Sequence, residues 1–242
     1  MEQQVTRLVE KVWDKFQQTP TDQRLMIGIA GIPGSGKTTL SQLVTTRLNA
    51  RAAALDPSNP SRATHPPAAF VPMDGYHLTR AQLSNMPDPV NAHARRGAAF
   101  TFDGDSFHKL VVSLREPLRA DTPPIYAPSF DHAVKDPKPD DIVIQPYHRI
   151  VVFEGNYLAL DMPPWNHAAK LMDELWFVDV DFDVARKRLI TRHIKAGIAK
   201  DEAEADRRAR ENDLVNGKEI VDSRLKVDEV IVSREDDKWV HE

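Results

Sequence analysis

The sequence predicts an α/β fold: a mostly parallel five-stranded sheet flanked by helices. Three observations carry that expectation. Five short apolar runs alternate with helical stretches, as in a sheet built from crossover connections. The first run opens into a glycine-rich turn followed by a helix. Hydrophobic residues fill 41% of the 242 positions and charged residues 28%, enough apolar surface for an ordinary core. That length suits one large domain, or one with a small lid.

Composition also narrows the chemistry. With 32 basic and 36 acidic residues the net charge is −4, so the chain is not a general polyanion binder and nucleic acid is not expected as a partner. Cysteine is absent, which excludes disulfides, thiolate nucleophiles and Cys-ligated zinc. No apolar run approaches the roughly 18 residues of a membrane span, and the opening MEQQVTRLVEKVWDKF lacks a signal-peptide core. The expectation is a cytoplasmic protein with no membrane partner. His65, His108, His148, His167 and His241 show no metal-ligand spacing.

Residues 2–18 read as an amphipathic helix, with Val5, Leu8, Val9, Val12 and Phe16 on one stripe and Thr19-Pro20 at its end. Arg24–Ala30 is a buried parallel strand, and Thr38–Asn49 the helix after it. Residues 51–67, with Pro57, Pro60, Pro66 and Pro67, read as a loop. Ala68–Met73 is the second strand. The 78–102 stretch is polar and partly helical, and Asp105–Arg115 is a helix. Prolines crowd 116–148, which reads as an ordered loop with one short strand near Ile142–Ile144. Arg149–Phe153 and Leu175–Val180 are the third and fourth strands. Val184–Asn212 reads as helical and highly charged, and Glu229–Ser233 as the last strand.

Ten glycines serve the whole chain, yet Gly28, Gly31, Gly34 and Gly36 fall within nine residues. Gly31-Ile32-Pro33-Gly34-Ser35-Gly36-Lys37-Thr38 matches G-x-x-x-x-G-K-[ST], set between a strand and a helix. A loop that wraps a phosphate must aim several backbone N–H groups at it, and glycines allow the dihedrals and the close approach. The helix that follows turns its positive end on the same phosphates. Lys37 supplies charge for the β- and γ-phosphates, the Thr38 hydroxyl suits Mg²⁺, and Thr39 extends the cradle. A nucleoside triphosphate is therefore the expected ligand.

Such a loop does not separate kinases from switches and motors; acids at the other strand ends do. In an open parallel sheet, ligands bind beyond the carboxyl ends of the strands. Asp74, after the second strand, is the candidate general base for an attacking hydroxyl, although Asp74-Gly75 is also an ordinary turn pair. Glu154, after the third strand, is the candidate for Mg²⁺, with a turn role as the alternative. Asp179 suits a structural role, since Asp181 and Asp183 follow it toward a helix start.

Together these residues resemble the uridine kinase/phosphoribulokinase/pantothenate kinase family of P-loop small-molecule kinases, in a less characterised branch. The matching pieces are GIPGSGKTT at 31–39, MDGYH at 73–77, RRGAAFTFD at 95–103, PIYAPSFDH at 124–132, FEGNYL at 153–158 and RKRLITRHIKAGI at 186–198. The resemblance implies a single P-loop kinase domain with an N-terminal helix over 1–20 and a helical lid over about 184–212. It further implies ATP and Mg²⁺ as cofactors and a small hydroxylated substrate. On that likeness Asp74 is the base, Glu154 assists the metal, Asp103 holds substrate hydroxyls, and Arg188 and Arg192 reach the phosphates. Uridine kinases read Asp-Ser-Phe-Tyr where this chain has Asp74-Gly75-Tyr76-His77; the Asp-Gly-aromatic pattern is nearer pantothenate kinase.

Tyr76, His77, Tyr126 and His132 are further candidates for substrate contact, as are Arg95 and Arg96 for an acceptor carrying a phosphate or carboxylate; packing and solvated charge are the alternatives. Arg188, Arg192 and Lys195 share one helix face, either over the transferring phosphoryl or in solvent. Asp201–Arg210 alternates in sign and reads as solvent-facing. A nucleoside monophosphate kinase and a regulatory nucleotide-binding module remain the alternative functions. Oligomeric state is left open, a homodimer being one reading.

Overall fold

The computed structural model describes residues 2–55 and 64–234; Pro57, Pro60 and His241 lie outside them. Strands β1 (Leu25–Gly31), β2 (Ala68–Pro72), β5 (Ile150–Gly155), β6 (Glu174–Asp179) and β7 (Glu229–Val232) form one sheet in the order β2-β5-β1-β6-β7. Every pairing in it is parallel. The five apolar runs are these five strands, within a residue or two at each end.

Helices cover both faces, so β1 is buried along its whole length yet still alternates. Leu25, Ile27 and Ile29 pack with α1 (Glu2–Gln18) and α2 (Lys37–Leu55), against Leu8, Val12, Leu40 and Val44. Met26 and Ala30 face the opposite core, where Phe107 of α5 (Gly104–Arg115) meets Phe153 and Trp165. Two short helices, α3 (Arg80–Ser84) and α4 (Pro89–Ala94), fill the 78–102 stretch. Each starts on a side-chain cap: Thr79 forms a capping box with Gln82, and Asp88 accepts from the Asn91 N–H.

Two expectations need correcting. The proline-rich 116–148 region is more than a loop with one short strand near Ile142–Ile144: that strand is the end of an antiparallel hairpin, β3 (Ile125–Asp131) and β4 (Asp136–Ile144). A two-stranded ribbon has two free edges, so a proline there need not remove a ladder bond. Pro128 sits at a register shift between Ala127 and Ser129, where pairing is already interrupted. The second correction concerns the charged stretch from 184. It is broken into α7 (Phe182–Lys195), α8 (Glu202–Arg208), a π-helical turn over Ala209–Asp213 and α9 (Leu214–Asp222). Gly197 takes φ +62 just past α7 and stops it. Nor is the Asp201–Arg210 run wholly solvated, since Ala205 and Ala209 are buried. Between β5 and β6 lies α6 (Trp165–Ala169). Among the described residues no helix is long and apolar enough to cross a membrane.

Candidate active site

The site grows from three adjacent strand ends. Register aligns Pro72 of β2 with Glu154 of β5, and Ala30 of β1 with Gly155. Asp74, Glu154 and the Gly31–Thr38 loop therefore share one edge of the sheet. Gly34 and Gly36 adopt φ +81 and +89, conformations that L side chains rarely take. Ile32 is buried against Gly217 of α9, and Ser35 is buried outright, while Pro33 and Thr39 complete the turn on either side.

Lys37 and Glu154 are both buried, with Nζ and Oε1 3.8 Å apart. Burial pushes the Glu154 carboxyl up to about 7, opposed by the Lys37 charge and a hydrogen bond from Thr38, and reinforced by the nearby Asp74. Burial likewise lowers the Lys37 ammonium, against the attraction of Glu154, Asp74 and Asp213. Arg192 on α7 bears on both members of the pair. The Glu154 carboxyl is raised from 4.5 in the folded protein, so its contribution to stability is present below pH 4.5 and lost as pH rises through about 7. Thermal midpoints of ligand-free wild type should fall more between about pH 5 and about pH 8 than those of Glu154→Gln.

Arg188 behaves differently from its helix neighbour. It donates to the carbonyls of Gly34 (3.2 Å) and Ser35 and to Ser233 Oγ (2.9 Å), bracing the loop from behind. Lys195 lies with Lys187, Ile190 and Ile194 around a separate surface depression.

On the β2 side, Met73–Tyr76 form a 3₁₀ turn. Tyr76 is buried edge-on to Phe107, and burial with the Asp103 charge raises its hydroxyl above the usual tyrosine range. His77 lies 4.0 Å from the Phe102 ring and 4.9 Å from Phe130, centroid to centroid. Its Nδ1 is 2.8 Å from the Asp74 carbonyl, so Nδ1 carries the proton. Burial holds its pKa down, which keeps the ring neutral and Nε2 an acceptor. Asp103 caps α5 by accepting from the Ser106 N–H. Tyr126 is exposed on β3, and His132 is exposed at the hairpin turn.

Gly75 explains how the hairpin comes so close: a Cβ there would lie 2.0 Å from the Pro128 carbonyl oxygen. Gly75→Ala must displace that backbone. A loss of about 1–3 kcal/mol is expected, read as a lowered denaturant midpoint.

The arginine pair proposed for an anionic acceptor is tied down internally. Arg95 donates to Asn212 Oδ1 (3.1 Å) and Asn216 Oδ1 (2.7 Å). Arg96 donates to the carbonyls of Lys135 and Leu78 and pairs with Asp136 at 2.9 Å. Sequence reasoning missed the hub that receives them. The π turn presents Asn212 to Arg95 and the Arg96 carbonyl, and Asp213 to buried His193 at 2.9 Å, while Tyr157 OH donates to the Gly97 carbonyl. No spacing rule links these residues, and the burial of Asn212 and Asn216 is visible only in the fold.

Comparison with known proteins agrees with this architecture. The model of the Phosphoribulokinase / Uridine kinase family matches residues 26–234. ATP-dependent kinase-like protein notR' of Aspergillus versicolor is 55% identical over 159 residues, covering 66% of this chain and 92% of that protein. ATP-dependent kinase YFH7 of Saccharomyces cerevisiae is 33% identical over 198 residues, 70% of this chain and 56% of YFH7. The crystal structure of YFH7 superimposes with a TM-score of 0.84 at 24% identity over 96% of this chain and 99% of that one, a likeness of fold. With the strand order, the phosphate loop and the family match in agreement, the chain belongs to the Phosphoribulokinase / Uridine kinase family of ATP-dependent kinases.

Proposed function

We propose that this kinase moves the γ-phosphoryl of ATP to a hydroxyl of a small metabolite, with Asp74 as general base. The observation that carries the reading is the meeting of Asp74 with the buried Lys37–Glu154 pair at adjoining strand ends. A new bond forms between the acceptor oxygen and Pγ, and the bond from Pγ to the β–γ bridging oxygen breaks. Asp74 accepts the hydroxyl proton, and ADP leaves with the electron pair.

The backbone N–H groups of residues 31–39, Pro33 excepted, would cradle the phosphates, helped by the α2 N-terminus. Lys37 and Arg192 neutralise charge that builds on the transferring group. Thr38 and Glu154 fit Mg²⁺, an ion held by one or two protein oxygens plus substrate phosphates rather than by a full protein cage. Bound there, the ion would screen the β- and γ-phosphate charge. The chain would act as one P-loop kinase domain, with α7 and the segments after it as a lid that excludes water.

An ADP-release screen across hydroxylated metabolites tests the reading. Release that depends on one metabolite supports it. Nucleotide binding with no acceptor-dependent release favours a regulatory module instead.

A further inference from the structure

A cavity of about 440 Å³ lies beside the 3₁₀ turn that carries Asp74; Gly75, the next residue, is part of its lining, and Asp74 itself is not. Tyr76 and His77 of the 3₁₀ segment, Asp103 and Ser106 at the start of α5, and Tyr126 of β3 contribute to its wall. That volume suits a ligand of monosaccharide or nucleoside size.

The charges around it decide what kind of molecule enters. Both guanidinium groups that could greet an anion are spent inside the protein: Arg95 on two asparagine oxygens, Arg96 on two carbonyls and Asp136. The remaining Arg96 Nε is sealed from solvent. Among the described residues the lining holds one cation, the exposed Lys109, against two carboxylates, Asp103 and Asp140. The α5 cap occupies Oδ1 of Asp103, leaving its second oxygen for a ligand. His77 adds a neutral ring whose Nε2 can only accept. These groups ask for hydrogen-bond donors. A phosphate or carboxylate offers none, and it would set its own charge beside theirs.

We propose that this cavity admits an uncharged polyhydroxylated acceptor, a free sugar, polyol or nucleoside, and rejects acceptors that carry a phosphate or carboxylate. The inference rests on the reading of Asp74 as base toward an alcohol. Hydroxyls donating to Asp103 and its neighbours hold the acceptor while another hydroxyl meets Asp74. A site whose acceptors must be paired discriminates strongly against ligands that cannot pair them.

Matched probes test this: fructose and fructose 6-phosphate, uridine and its 5′-monophosphate, glycerol and glycerate, pantothenol and pantothenate, each with Mg-ATP and ADP release as the readout. A neutral member should be turned over with kcat/KM at least about 100-fold above its charged partner. Asp103→Asn keeps a side chain able to cap α5. It should raise KM for the neutral acceptor about 10-fold, leave kcat largely intact and shrink the neutral-to-charged ratio. Preference for a charged partner overturns the inference, as does an unchanged ratio in Asp103→Asn. Turnover of none of the pairs, with ATP binding intact, overturns the alcohol-acceptor reading beneath it.

Discussion

Asp74→Asn is expected to lower kcat by about 10²–10⁴-fold, the usual worth of a positioned general base. Nucleotide binding should respond in the opposite sense. Asp74 bears electrostatically on both Lys37 and Glu154, so on the proposed reading its charge would face the triphosphate. Removing that charge lessens repulsion, and ATP affinity measured by calorimetry should hold or tighten. Asparagine preserves shape and the backbone carbonyl that receives His77 Nδ1, so the 3₁₀ turn should survive. Turnover within about threefold of wild type would remove Asp74 as base. It would also revive the nucleoside monophosphate kinase, whose acceptor is already an anion and needs no proton taken from it.

The parts of this molecule that a reader of the sequence can find are those where local chemistry and global position agree. β1 and the Ile150–Phe153 stretch of β5 are covered on both faces, so each is an unbroken apolar run. The phosphate loop is legible because its function constrains the backbone itself: Gly34 and Gly36 stand at positive φ between a strand and a helix. Acid-Gly pairs mark sites only in part. Gly75 makes room for Pro128, Gly155 for Met73 and Gly104 for Pro164, so in each the missing Cβ serves packing beside a carboxylate.

Only Ile142–Ile144 of the hairpin is legible in the sequence, because its prolines are permitted by free edges, a property of the ribbon and not of the residues. The hub at Asn212–Asp213 escaped notice for another reason. Its partners Arg95 and His193 are 117 and 20 residues away, and pairing at such distances leaves no periodicity to detect. The π turn that aims the two side chains apart is likewise set by tertiary contacts, a local departure often found at functional sites. Arg95 and Arg96 show the consequence: two adjacent exposed-looking cations prove to be internal struts, which changes the acceptor a reader should expect.

Lys37→Ala should cost both binding and turnover, and so separates from Asp74→Asn. The ammonium is buried, its nearest carboxylate oxygen 3.8 Å away, and a charge-assisted bond from it to phosphate is worth about 1.5–3 kcal/mol. ATP affinity should fall about 10–150-fold by that measure, and kcat by a further 10²–10³-fold or so if the same charge grips the transferring phosphoryl. A second effect follows from what remains. Lys37 is the chief influence holding the Glu154 carboxyl down, so its loss drives Glu154 further toward the protonated form. Residual activity of Lys37→Ala should then rise with pH across the neutral range more steeply than that of wild type, as Glu154 regains its charge. Nucleotide binding left intact in Lys37→Ala would sink the phosphate-loop assignment, and with it the kinase and the regulatory-module readings alike.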